Sequence, residues 1–410
     1  MTNEKRVPKL RFPEFSGEWE EKILGDSMTL LKSGLSRELS SEDIGYPVIR
    51  ANNIQNYRLK LQDIKYWYVK DPQGANTENY LLEKNDILVN FINSEAKMGT
   101  SCIIKKELPR KMIYTTNILR YQVNEFNDSY FHYSYTQTLN YKKWIRIITK
   151  PAVNQASFTT VDFKKIPYFV PTLKEQQKIG EFFSKLDRQI ELEEKKLALL
   201  EEQKKGYMQK IFSQELRFKD EHGEDYPEWE KFRVDEICNL SIGFTPSTKD
   251  ELLWTGSIPW ISIAGMNSKY IKQANKTISK EAIRKKEAVK AGTLIMSFKL
   301  TIGNVAILKK DMYTNEAICH FNWIHNNINN EYVYYYLKTI DVKSYGSRAA
   351  KGITLNNESL NSILLKLPQR EEQDKISNFL KTIDDKVTLV NDKIKLRKAL
   401  KDYFLQNMLL

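Results

Sequence analysis

Two stretches of this chain place apolar side chains at steps near three and four. From Lys174 to about Phe212 they are Ile179, Phe183, Leu186, Ile190, Leu197, Leu200, Tyr207 and Ile211. Adding 197 to seven of the eight numbers gives Ile376, Leu380, Ile383, Val387, Ile394, Phe404 and Met408, while Arg397 falls in the place of Leu200 and Val390 joins the track in the place of Glu193. This heptad-like spacing predicts two coiled-coil helices. About 40 residues at ~1.5 Å each make a rod of ~60 Å, longer than a small domain is wide. Glu193 and Lys204 interrupt the first seam, and Arg397 and Lys401 the second. Neither helix therefore reads as a free-standing zipper, and the expectation is that they pair with each other, antiparallel, with a globular body at each end. The competing reading packs each helix on its own body, since tertiary contacts stabilise most helices.

The segments that open these helices are also written twice. Val170-Pro171-Thr172-Leu173-Lys174-Glu175-Gln176-Gln177-Lys178-Ile179 returns as Leu367-Pro368-Gln369-Arg370-Glu371-Glu372-Gln373-Asp374-Lys375-Ile376. Each proline suits a first helical turn, whose N–H groups lack partners. Upstream, Leu10-Arg11-Phe12 with Glu18-Trp19-Glu20 reappears as Leu216-Arg217-Phe218 with Glu228-Trp229-Glu230. A repeat this long is a duplicated domain, since solenoid units run to roughly 20 to 50 residues. The boundaries read as an N-terminal segment 1–19, a first body 20–170, a central helix 171–215, a linker 216–227, a second body 228–366 and a terminal helix 367–410.

Both bodies read as mixed α and β with short strands, an α/β (mixed α+β) class. Tyr46-Pro47-Val48-Ile49-Arg50 matches Ile258-Pro259-Trp260-Ile261-Ser262, each with an early proline that favours a strand start or an edge. Asp86 to Asn90 matches Thr293 to Ser297, Gly99 matches Gly303, Thr116-Asn117 matches Thr314-Asn315, and Ser157-Phe158-Thr159 matches Thr354-Leu355-Asn356. Tyrosine-rich runs at Tyr130 to Tyr135 and Tyr332 to Tyr336 are expected to pack in cores, although such rings also stack on bases in single-strand binders.

Charge narrows the partner. A formal net charge of +12 and an isoelectric point near 9.2 favour a polyanion, because a basic surface gains free energy by releasing counterions from phosphates. Basic residues recur in loops of both bodies, at Lys105-Lys106, Arg110-Lys111, Lys142-Lys143, Arg146 and Lys150, then at Lys285-Lys286, Lys309-Lys310, Arg348 and Lys351. No apolar run approaches ~18 residues and the start is polar, so a membrane partner is not expected and the location is read as cytoplasmic. Cys102, Cys238 and Cys319 form no disulfide framework. The sequence carries no GxxxxGK[ST], GxGxxG or HExxH motif, and Cys319-His320 with His325 lacks zinc spacing. The chain reads as non-catalytic, with no metal site.

The tandem plan, the Pro-x-x-x-Glu-Gln-x-x-Ile openings at Pro171 and Pro368, and the loop Gly243-Phe244-Thr245-Pro246-Ser247 resemble the specificity subunit of type I restriction-modification systems, HsdS. The resemblance covers essentially the whole chain; at the loop the first copy departs from it, reading Ser33-Gly34-Leu35-Ser36-Arg37. It implies two tandem pseudo-symmetric target-recognition domains separated by two long antiparallel coiled-coil helices, each domain reading half of a bipartite site in double-stranded DNA. It implies as partners two methyltransferase subunits (HsdM) using S-adenosylmethionine, and motor-nuclease subunits (HsdR) using ATP and magnesium. No cofactor is then expected on this chain. Candidate DNA contacts are Ser33, Arg50, Asn52, Lys97, Asn117, Lys150 and Gln155 in the first body, and Thr245, Ser247, Ser262, Lys299, Asn315, Arg348 and Lys351 in the second. A scaffold binding RNA or protein is the alternative, separable by salt-dependent duplex binding with a sequence preference.

Overall fold

A buried glutamate begins each long helix, and its partners explain why the helix-opening segment is repeated. In the computed structural model, which describes residues 6–349 and 352–410, Glu175 is 1 % exposed and accepts from both Nε and Nη2 of Arg11 at 2.8 Å. Glu372 is fully buried and accepts from Arg217 and from the indole N–H of Trp229 at 3.1 Å. The next residue works in both directions. The side-chain oxygen of Gln176 accepts the Asp128 N–H at 3.0 Å, and its nitrogen donates to the carbonyls of Pro171 and Phe126. Gln373 repeats each contact with the Asn329 N–H, Pro368 and Asn327.

The chain divides into two compact units, Met1–Lys195 with Asn391–Leu410, and Lys196–Val390. In the first, β1 (Glu20–Ile23) pairs antiparallel with β11 (Pro167–Val170), the strand leading into α4 (Leu173–Phe212). The main sheet is antiparallel, in the order β2 (Met28–Ser33), β9 (Ile118–Val123), β5 (Ile87–Asn90), β7 (Ser101–Ile103). Beside it β3 (Gly45–Ile49) runs parallel to β8 (Ile113–Tyr114) and antiparallel to β4 (Lys65–Tyr68). A small ladder joins β6 (Ile92–Asn93) to β10 (Ala156–Ser157). Helices α1 (Ser129–Tyr135), α2 (Leu139–Ile148) and α3 (Thr160–Lys164) complete the unit.

The second unit repeats this plan. Strand β12 (Glu230–Arg233) pairs with β21 (Leu364–Leu367), which leads into α7 (Arg370–Met408). The main sheet has the order β13 (Cys238–Ile242), β20 (Ile318–Trp323), β17 (Leu294–Ser297), β18 (Asn304–Leu308), with β15 (Tyr270–Ile271) added parallel at its edge. The side sheet is β16 (Lys276–Ile278), β14 (Ile258–Ile261), β19 (Tyr313–Thr314). Helices α5 (Asn330–Leu337) and α6 (Asn357–Asn361) stand for α1 and α3.

Pro47 and Pro259 sit in middle strands rather than at edges. Each precedes the first residue that the parallel neighbour pairs, Val48 or Trp260, so the absent N–H breaks no ladder on that side. The tyrosine runs form α1 and α5, with Tyr133, Tyr135, Tyr332 and Tyr335 at 1 % exposure or less, so they are core. One expected match shifts by two residues. The Thr115 N–H donates to Ile49 O and the Asn315 N–H to Ile261 O, and Ile118 and Ile318 then donate to the Thr115 and Asn315 carbonyls. Asn315 therefore corresponds to Thr115, and Asn117 corresponds to Ala317.

Each core includes the ends of both long helices. Ile179, Phe183, Leu405 and Met408 join the first, and Ile211, Phe212, Ile376 and Leu380 the second. Both readings of the seam thus hold in part, since its outer positions pack on the bodies and its inner positions pair across helices. The polar interruptions are the pairing. In the first unit Lys401 meets Asp187 at 2.6 Å and Arg397 meets Glu193 at 3.7 Å; in the second Lys204 meets Asp384 at 2.5 Å. Rising numbers on one helix meet falling numbers on the other, so the pairing is antiparallel. Asp187 and Asp384 are 197 positions apart (384 − 187), as are Lys204 and Lys401. Each aspartate also takes a body tyrosine, Tyr130 or Tyr335, and lies within 4 Å of a body lysine, Lys105 or Lys269. Lys105 is thereby part of the helix junction, and Arg110 is held by Asp43 and the Gly45 carbonyl.

Truncating Glu372 to Ala should cost about 3 kcal/mol, because Arg217 and the Trp229 N–H lose a buried partner. Denaturant unfolding of wild type and variant measures this. A pH effect follows from two histidines. Burial lowers His132 to about 3 and His320 to about 4, with both rings hydrogen-bonded to neighbours. Below ~6.5 the unfolded chain binds protons that the folded chain excludes, so stability present above that pH is lost as pH falls toward the folded values. About 2 kcal/mol per histidine should disappear between pH 7 and 5. Urea titrations at the two pH values should show the loss reduced in His132→Gln.

Candidate nucleic-acid interface

Strand ends create the site in each body, and one glycine lets them converge. A Cβ on Gly34 would lie 2.1 Å from the Tyr114 carbonyl oxygen, and one on Gly243 would lie 2.2 Å from that of Thr314. Without a side chain, the exit of β2 crosses β8 closely enough for the Leu35 N–H to reach Tyr114 O at 2.9 Å. The exit of β13 crosses β19 the same way, Phe244 N–H donating to Thr314 O at 2.8 Å. The two loops thus correspond, despite the unlike letters after the glycine.

In the first body this crossing walls a groove of about 320 Å³ together with the turn after β3, the β8–β9 loop, β6 and the segment before β10. Four of the seven residues expected there line it: Arg50, Asn52, Asn117 and Gln155. Buried Asn53 fixes the turn by accepting from the Arg50 N–H and donating to the Lys60 and Gln62 carbonyls, which leaves Asn52 exposed. The Arg50 guanidinium donates to Asp63 O, and its buried Nε has no hydrogen-bond partner among the described residues. Asn93 and Arg37 also line the groove, and neither was expected. Among the described residues lining it, none is acidic.

Three expected contacts fall elsewhere among the described residues. Ser33 ends β2 inside the ladder opposite Leu119, Lys97 is exposed at the end of the 3-10 turn Glu95–Lys97, and Lys150 bridges to Ser157 through its backbone. Arg37 is held by Asp71, a residue 34 positions away in a loop, so no local pattern marks it.

The second body has a groove of about 800 Å³ next to its crossing, lined in part by Ile242, Phe298, Lys299, Glu316, Asn356 and Glu358. Ile242, Phe298 and Glu316 hold the places of Ser33, Phe91 and Thr116, as the strand registers show. Of the expected residues whose side chains are described, only Lys299 lines it. Asn315 donates to Thr245 Oγ1 at 2.8 Å and caps the Ala317 N–H, and Ser262 exchanges two hydrogen bonds with Asn275, so these side chains hold the loops together. Ser247 is exposed, and its carbonyl accepts from the Trp254 indole. Arg348 is on the strand Ser347–Ala349, and Lys351 lies outside the described residues. His320 is bound on both ring nitrogens by Ser241 and Thr314, while burial raises the Cys319 thiol to about 12.

What these grooves can do is form hydrogen bonds along an edge. They offer guanidinium, amide and carboxylate groups on fixed loops, the chemistry that reads base edges. The model of the type I restriction modification DNA specificity domain matches residues 16–202 and again 226–397. A protein of Methanocaldococcus jannaschii provisionally named type I restriction enzyme MjaX specificity subunit is 25% identical over 99% of this chain and 96% of its own. The MjaVIII specificity subunit of the same organism is 24% identical over 100% and 95%. The crystal structure of the type I restriction-modification S subunit from M. genitalium matches the fold with a TM-score of 0.63 at 16% identity, covering 98% of this chain and 99% of that one. Matched twice in tandem by the same domain model, the chain belongs to the type I restriction-modification DNA specificity family.

Proposed function

We propose that this chain reads a bipartite sequence in duplex DNA for a type I restriction-modification complex, each body contacting one half-site through the groove at its converging strand ends. One observation carries the reading. The two bodies share a backbone frame, down to the glycine crossing, while equivalent positions beside it differ in charge and kind, with Glu316 in the place of Thr116 and Ala317 in the place of Asn117. Backbone contacts position a reader and edge contacts specify sequence, so one frame with two linings suits two different half-sites. The net charge of +12 supplies the attraction to phosphates.

In this reading catalysis belongs to other chains. Two methyltransferase subunits carrying S-adenosylmethionine modify an adenine in each half-site, and motor-nuclease subunits with ATP and magnesium translocate and cleave. This chain holds them on the DNA and supplies the sequence preference. Burial raises all three cysteines to about 12, so none offers a thiolate at neutral pH.

Replacing residues 25–165 with the first body of another family member, in cells that also make the methyltransferase subunits, should change one half of the methylated motif and leave the other intact. Sequencing that detects methylated adenine reads this out. A change in both halves, or in neither, overturns the assignment of one body to one half-site. Rigorously purified chain, given S-adenosylmethionine and DNA without partners, should transfer no methyl group; radiolabel incorporation above background would contradict the division of labour.

A further inference from the structure

Arg37 lies on the wall of the first groove in an arrangement that sets its outer edge. Its Nε donates to both oxygens of Asp71 at 3.2 Å and its Nη2 to Oδ2 at 2.5 Å, while Nη1 donates to the Ser36 carbonyl at 2.7 Å. A guanidinium has five N–H groups in a rigid plane. Asp71 takes the side edge and Ser36 one hydrogen of Nη1, so of the five hydrogens one remains on each terminal nitrogen.

Asp71 is itself immobilised. It is 6 % exposed and also accepts from the Trp67 indole and from the backbone N–H groups of Gln73 and Ala75. These donors, the guanidinium first, hold the carboxyl well below its usual range, so it stays ionised at any working pH. Because Asp71 already balances its charge, Arg37 offers a phosphate little net attraction but keeps a planar pair of parallel donors. The matching partner is a rigid pair of adjacent acceptors. In the major groove that is O6 and N7 of guanine.

We infer that Arg37, braced by Asp71, is a specificity-determining residue that reads one guanine in the half-site of the first body, by paired donation from Nη1 and Nη2 to O6 and N7. This rests on the reading of the groove as a DNA interface and adds the base that it recognises. Asp71 is a positioning residue. A side chain fixed before binding loses little rotamer freedom on contact, which favours discrimination at that position.

The test uses the assembled complex of this chain with its methyltransferase subunits, the motif being mapped by methyl-adenine sequencing and the first half-site identified by the body replacement. In the wild-type complex, 7-deazaguanine at one guanine of that half-site, which removes the N7 acceptor, should weaken binding at least several-fold, while the same analogue in the other half-site leaves the Arg37 position unaffected. Both Arg37→Ala and Arg37→Lys should lose roughly ten- to a hundredfold discrimination at that same base pair and at no other. Lysine keeps the charge but lacks the paired donors, so retained discrimination in Arg37→Lys would show a point-charge contact and overturn the inference. It also fails if the first half-site has no G·C pair, if the deaza analogue is tolerated at every guanine there, or if Arg37→Ala weakens all positions equally. Should a variant not assemble, the analogue series on wild type decides alone. Asn52→Ala and Gln155→Ala separate the two levels. If they alter the motif while Arg37 variants do not, only the guanine assignment falls; if neither these nor the body replacement alters it, the groove is not the reader.

Discussion

The structure depends on a carboxylate buried at the first turn of each long helix. Glu175 and Glu372 join residues far apart in sequence, Arg11 with Glu175 and Arg217 with Glu372, and so close each body at the point where its helix departs. A buried ion pair gains little net free energy over a well-packed apolar substitute, yet leaving one member unpartnered is costly. The lock therefore acts on geometry, since a helix begun one residue early or late would bury an uncompensated charge. The neighbouring glutamine adds a second constraint, because it joins the helix start to the N-terminus of the tyrosine-rich body helix through Asp128 or Asn329. With strand end, helix start and body helix fixed at one place, the sheets that carry the grooves have a defined origin.

Much of this was legible in the sequence because the lock tolerates few residue types. Glu-Gln after a proline, an arginine upstream and the 3.5-residue track recur since each copy solves the same packing problem with the same atoms. The polar breaks in the seam were visible too, although their meaning was not, because Lys401 finds Asp187 only once two segments more than 200 residues apart are paired. The strand match of Ile49 with Ile261 survived for the same reason as the lock, being set by buried backbone pairing on both sides.

The grooves were half legible, and there are physical causes for the expected residues that lie outside them. Arg50, Asn52, Asn117 and Gln155 converge because they flank strand ends that the parallel β3–β8 pairing draws together. Thr116-Asn117 resembles Thr314-Asn315 in letters alone; the ladder fixes register by hydrogen bonds, and these place Asn315 opposite Thr115. In the second body, Asn315 and Ser262 carry amide and hydroxyl groups that suit DNA and equally suit tight turns, where they are engaged in this structure. Arg37 was hidden because its orientation is imposed from outside its own loop.

The glycine crossing has a consequence for how such a protein changes over generations. Main-chain atoms close the loops at Gly34 and Gly243, so an exposed groove residue such as Asn52 can be exchanged without opening them. A reader of this kind can acquire a new preference through single codons, with the scaffold indifferent to the exchange. Arg37 and Asp71 are the exception, because each is the other's partner and Asp71 also holds its own loop. That pair forms one heritable unit, and the position that it governs should be the slowest in the first groove to diverge.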